Sequence, residues 1–244
     1  GVNQTIWLAA GVSIAVGLVA IRLTRIKTDT KRISTDKPRS SAIHPRQSAL
    51  LAAYEASGFA DISLEVLWTR VLVMVVGGSV YAFSLVLVAF LTGIAAGSAV
   101  MTRFADRLRY PLIAFAIVEL VLGICVILLI PILGNLPFWF LSIFKTYGAS
   151  FGGLQFGLWL MAAAVMFVPT LLMGVAFPLV VKAYQTEGTG ERVGRVYAAN
   201  TIGGVFGALG GGFLLIPTIG VQKGILVAGY IYLFIGISLL YYSL

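Results

Sequence analysis

The stretch Pro111 to Leu133, PLIAFAIVELVLGICVILLIPIL, decides the class of this chain. One acid, Glu119, interrupts an otherwise apolar run long enough, at about 1.5 Å of rise per helical residue, to cross a bilayer core of about 30 Å. Inside a bilayer every backbone polar group needs a partner within the protein, which leaves α-helices and closed barrels. A barrel strand alternates apolar and polar residues with period 2. This run does not, so it reads as a membrane-spanning helix.

Working outward, comparable runs recur over Ile6 to Leu23, Ser48 to Val76, Val80 to Met101, Gln155 to Val181, Val196 to Pro217 and Ile225 to Leu244. The expected fold is therefore an all-α integral membrane protein of about seven transmembrane helices. Composition agrees: 59% of the 244 residues are hydrophobic and 11% charged. A soluble domain carries roughly a quarter charged residues, so too few are present here to cover a water-facing surface. Between the fourth and fifth runs of the chain, Gly134 to Gly153 contains PFWFLSIFKTYG, which is too short to span and is expected to lie at the interface or re-enter the membrane.

Three regions follow. Residues 1–24 read as an N-terminal transmembrane anchor, because no basic segment precedes the apolar run and no small-residue cleavage site follows it. Residues 25–47 read as a basic cytoplasmic linker, rich in Lys, Arg, Ser and Thr and too polar to build a core. Residues 48–244 form a six-helix module. Within it, Gly58 is expected to divide the second run, Pro169 and Pro178 are expected to kink the fifth, and Lys182 to Arg195 reads as a polar loop.

A net charge of +8 would suggest nucleic acid binding in a soluble protein, but here the basic residues sit between apolar runs and set topology. Placing the linker inside and alternating from there leaves fourteen of the 17 basic residues inside. Lys145 and Lys223 fall outside and Arg70 lies in the membrane. The expected orientation is N-terminus out and C-terminus in the cytoplasm. The single cysteine, Cys125, can form no disulfide within the chain and no metal site, and the single histidine, His44, has no assigned role. No catalytic, cofactor-binding or metal-binding residue is expected.

Two features carry the candidate chemistry. Gly93 and Gly97, and the ladder Gly203, Gly207 and Gly211, repeat at four-residue spacing, which lets helix backbones approach closely in lipid. Such faces serve packing within the chain or contact with a homodimer or membrane-protein partner. The second feature is a set of intramembrane ionisable residues: Asp61, Glu65, Arg70 and Glu119. A charge at the bilayer centre costs about 2.5–3.5 kcal/mol on insertion scales, so it faces a partner or a water-filled cavity. Asp61 and Glu65, four apart, share a helix face. Glu119 is expected to approach them or pair with Arg70, and both glutamates are expected to face the bundle. Arg70 has the further option of extending to the interface. These acids form either a proton or cation site or a polar network that fixes helix register. One internal echo, Val80-Tyr81-Ala82 against Val196-Tyr197-Ala198, opens two helices of opposite direction, as a 3+3 inverted repeat requires.

Four segments together, SGFADISLEVLWTR (57–70), GSVYAFSLVLVAFLTGIAAGS (78–98), PTLLMGVAFP (169–178) and YAANTIGGVFGALGGGFLLIPTIG (197–220), resemble the transmembrane module of bacterial membrane-bound spermidine-synthase-like proteins. Glu65, Trp68 and Arg70 match that family's E-V-x-W-x-R pattern, and Glu119 matches an acid two helices on, whereas Glu55 and Asp61 stand where apolar residues are usual. The resemblance implies a neighbouring soluble aminopropyltransferase domain with a Rossmann-like fold. The 244 residues contain no glycine-rich loop after a strand, so no catalytic residue carries over and the chain is not expected to be an enzyme itself. Asp106, with Arg107 and Arg109, resembles the charged loop between helices two and three of major-facilitator carriers. The functions in view are a non-catalytic module that organises partner proteins, a transporter of a proton or polyamine, and the membrane half of a split enzyme.

Overall fold

The computed structural model describes residues 45–78, 80–105, 107–184 and 189–243, with isolated helical positions between 7 and 18. The chain divides into two compact units, 1–42 and 43–244, and the account below concerns the second. Most of the expected anchor, most of the expected linker and Asp106 lie outside the described residues.

Among the described residues the regular structure is helical throughout. The elements are α1 (Pro45–Val76), α2 (Val80–Ala105), α3 (Pro111–Leu133), α4 (Leu136–Tyr147), α5 (Phe151–Ala183) and α6 (Thr189–Leu209). A π-helical segment (Gly210–Leu215) and α7 (Ile216–Ser243) complete the order. Four helical stretches are long and apolar enough to cross a membrane: 83–105, 111–133, 151–183 and 190–243. Their outer surfaces suit lipid, with Phe213 81%, Phe234 73% and Leu128 63% exposed. α1 is not among the four, because Glu55, Asp61, Glu65 and Arg70 all fall within it. The last stretch is 54 residues long, far more than one crossing needs, and Gly220 breaks it with φ 80° and ψ 169°. That backbone conformation suits only glycine.

Several boundaries differ from the sequence reading. α1 begins at Pro45, inside the expected linker, where proline suits a first helical turn. Gly58 does not divide α1. A Cβ there would sit 2.6 Å from the Asn200 carbonyl oxygen, so this glycine admits α6 against an unbroken helix. The expected loop from Lys182 to Arg195 is mostly helical. α5 runs to Ala183 and α6 starts at Thr189, where Arg195 and Glu191 form an i, i+4 ion pair at 2.7 Å. α5 keeps Pro169 and Pro178 within one continuous helix. Next to Pro169, the Thr170 hydroxyl donates to the carbonyl of Met166, four residues back, at 2.8 Å, so this buried hydroxyl is satisfied by its own helix. α4, of 12 residues, is too short to span.

The glycine faces decide how the helices pair. Gly93 and Gly97 of α2 lie against Thr170 and Leu171 of α5, while Gly174 of α5 lies against Ile94 of α2. Likewise Gly203, Gly207 and Gly211 meet Glu55, Phe59 and Ser63 of α1. The residue offsets stay nearly constant along both contacts, so α2 runs parallel to α5 and α1 parallel to α6. α3 packs antiparallel on α7, with Gly123 against Gly229 and Ala116 against Gly236. α3 also contacts α5, and α7 also contacts α1. The glycine faces are thus occupied within the chain. Two buried clusters fill the centre, one around Leu64, Trp68 and Tyr232 and the other around Leu50, Tyr54 and Phe115.

Candidate intramembrane acid site

Along α1, Tyr54, Ser57 and Asp61 recur at three- and four-residue steps and share one face. Tyr54 and Ser57 are buried and Asp61 is partly buried. α3 crosses opposite this face and brings in Glu119, which is fully buried. The Ser57 hydroxyl donates to Glu119 Oε1 at 2.8 Å. One helical turn further along α1, the Tyr232 hydroxyl of α7 donates to Asp61 Oδ1 at 2.7 Å. Three helices therefore meet at two carboxyl groups, each bonded to one hydroxyl from a neighbouring helix. Asp61 is near enough to Glu119 to act on it electrostatically. Beneath them the Tyr54 ring packs edge-on against Phe115, centroids 5.9 Å apart.

The local sequence explains this placement. Gly203, Gly207 and Gly211 bring α6 close against the Glu55, Phe59 and Ser63 face of α1, while the Ser57 and Asp61 face meets α3 and α7. Tyr232 lies between Gly229 and Gly236, both at the contact with α3, which seats its ring at 0% exposure. Asp61 is near the middle of α1, Glu119 is in the first half of α3, and Tyr232 is midway along the part of α7 beyond Gly220.

Not all of the expected residues gather here. Asp61 and Glu119 do. Glu65 is partly buried one turn beyond Asp61, and Arg70 is exposed. Among the described residues neither carboxylate of the pair has a basic partner, and the ion pair found is Arg195 with Glu191. Glu119 Oε2 is buried and has no hydrogen-bond partner among them. Asn200 Oδ1, close to Gly58 on the same stretch of α1, is buried and unpartnered as well. The sequence reading did not single out Ser57 or Tyr232. A tyrosine within an apolar run is the signal that was available, since a buried hydroxyl usually finds a partner. Chemically, such a site can bind and release a proton or a small cation, because oxygen acceptors converge with no fixed positive charge to neutralise them.

Compared with protein-family models, curated proteins and solved structures, the chain matches none.

Proposed function

We propose that this chain is a multi-spanning membrane module that handles protons or small cations at the interior acids Asp61 and Glu119. The observation that carries this reading is the fully buried Glu119, bonded to Ser57 on one oxygen and unpartnered on the other. A network serving helix register alone would be expected to use up its acceptors, because a buried polar group without a partner costs free energy. A proton asks least room of the cations weighed from the sequence. The glycine faces, which would favour a partner-organising module, are closed within the chain and lend that alternative no support.

The pairing pattern supports a carrier-like frame. Exchanging α1, α2 and α3 for α5, α6 and α7 turns the α2–α5 contact into the α6–α1 contact and the α3–α5 contact into the α7–α1 contact. The α3–α7 contact maps onto itself. That is the behaviour of a 3+3 inverted repeat, a frame whose sites lie near the bilayer midplane. We read six core crossings in α1, α2, α3, α5, α6 and α7, and a seventh in the N-terminal anchor. The starts of α1, α3 and α6 carry Arg46, Arg109, Arg192 and Arg195, and Lys182 at the end of α5 donates to the Ala105 carbonyl at the end of α2. The positive-inside rule turns this end to the cytoplasm, and the family resemblance supports a bacterial inner membrane as the location.

Two measurements test the reading. In proteoliposomes carrying a pH gradient, Glu119→Gln and Asp61→Asn are each expected to lower proton or cation flux at least about tenfold, the scale of about 1.4 kcal/mol, while Glu65→Gln leaves it within about twofold. Unchanged flux in Glu119→Gln would remove the site from the proposal. For orientation, single cysteines at Arg107 and Lys145 in a Cys125→Ala background are expected to label from opposite sides with an impermeant maleimide. Labelling of both from the same side would overturn the topology.

A further inference from the structure

At the basic end of the bundle, a cavity of about 560 Å³ opens where α1 and α3 begin and α5 and α7 end. Arg46, Gln47, Arg109, Tyr110 and Ser243 supply its polar rim, and none of the described residues that line it is acidic. The two arginines come from separate segments, and neither has an ion-pair partner among the described residues. Arg109 lies over the Tyr110 ring, 5.4 Å from its centroid, a contact that orients a guanidinium without using its donors. Leu112 and Ile113 also line the cavity. They sit in the first turn of α3, where Tyr110 provides no side-chain cap and the leading N–H groups have no intrahelical partner.

Charged donors from two segments thus line one cavity at the boundary of an apolar bundle. Arginine matches phosphate geometry with paired N–H donors, and charge-assisted bonds of this kind are roughly twice as strong as neutral ones. Basic pockets between transmembrane helices on the cytoplasmic side are suited to phosphate-bearing headgroups. We propose that this cavity is an oxyanion site that takes a phosphate group, supplied by an anionic lipid headgroup or by free phosphate. The site is separate from the acids: along α1, Arg46 and Asp61 are fifteen residues apart, about 22 Å at helical rise. It does not depend on the flux proposal.

The test uses the full chain in a neutral detergent, with thermal unfolding and equilibrium binding measured against phosphatidylglycerol, phosphatidylcholine and inorganic phosphate. Phosphatidylglycerol is expected to bind at least tenfold more tightly than phosphatidylcholine. Arg46→Gln with Arg109→Gln is expected to weaken that binding at least tenfold, whereas Arg107→Gln, an exposed arginine outside the cavity, leaves it unchanged. Both arginines are exposed, so their replacement should leave a folded, monodisperse protein. Binding of inorganic phosphate alone, lost in the same double variant, supports the site and identifies its ligand as soluble phosphate. Equal binding of the two lipids, an equal loss in Arg107→Gln, no effect of the double variant, or no binding of either anion would each overturn the proposal.

Discussion

Gly207→Ala is expected to lower the unfolding midpoint of the detergent-solubilised protein, while Gly194→Ala on the same helix raises or preserves it. In an isolated helix both changes should help, because alanine is favoured over glycine by about 1 kcal/mol. At Gly194 nothing lies within 4 Å of the added methyl, so that gain survives. At Gly207 the methyl would sit 2.2 Å from the Phe59 carbonyl oxygen, a backbone atom that cannot turn aside. α6 must then move off α1, and the bond from Ser63 to the Gly207 carbonyl, 2.9 Å long, is lost with the shift. Overpacking of this kind costs about 1–3 kcal/mol, or several degrees in a chain of this size at about 2–4 °C per kcal/mol. Gly203→Ala meets the Glu55 carbonyl oxygen at 1.9 Å and is expected to behave alike. Equal midpoints for the Gly194 and Gly207 variants would mean that the α1–α6 contact is looser than described.

The second expected result separates stability from activity at the acid site. Ser57→Ala removes the one hydrogen bond to Glu119 and leaves a buried carboxyl without a partner, a loss of about 1–3 kcal/mol. Ser57→Ala combined with Glu119→Leu removes both polar groups and fills the space with hydrocarbon, an exchange that is often neutral or stabilising. The double variant should therefore unfold at or above the midpoint of Ser57→Ala alone, while its flux in proteoliposomes falls at least about tenfold. Tyr232→Phe should behave like Ser57→Ala at the other carboxylate. A double variant that is less stable than both single variants would show that Glu119 serves the fold rather than ion handling.

The parts of this arrangement that the sequence made visible are those governed by local punctuation. Pro111 and Gly134 bracket α3, and the glycine spacings on α2 and α6 mark surfaces built for close helix contact. The boundaries of α1 and α6 were less visible, because the residues that seem to break them serve tertiary contacts. Gly58 reads as a helix breaker until Asn200 is found against it. Thr189 to Arg195 reads as a loop because its residues are polar, yet Glu191 and Arg195 pair on a helical turn. The π-helical segment at Gly210 to Leu215 has no periodicity to betray it. At the site, the cost of burying charge directed attention to Asp61 and Glu119. The partners stayed hidden because Ser57 and Tyr232 are separated from them by 62 and 171 residues, and pairing across helices leaves no trace in spacing.

The parallel pairing of α1 with α6 also bears on how the chain is made. α1 and α2 leave the ribosome first among the core helices, joined by a short turn, yet each has its main neighbour among the last three. At roughly 5–20 residues per second, α6 is completed about 7–27 s after α1. Glu119's helix follows early in that interval, but the ionisable groups of α1 stay without the glycine ladder until its end and without Tyr232 until α7 follows. The early pair reaches its final packing only once its distant partners are synthesised. The packing of this bundle is therefore completed by its C-terminal helices, and a chain halted before α6 would lack the main neighbour of α1.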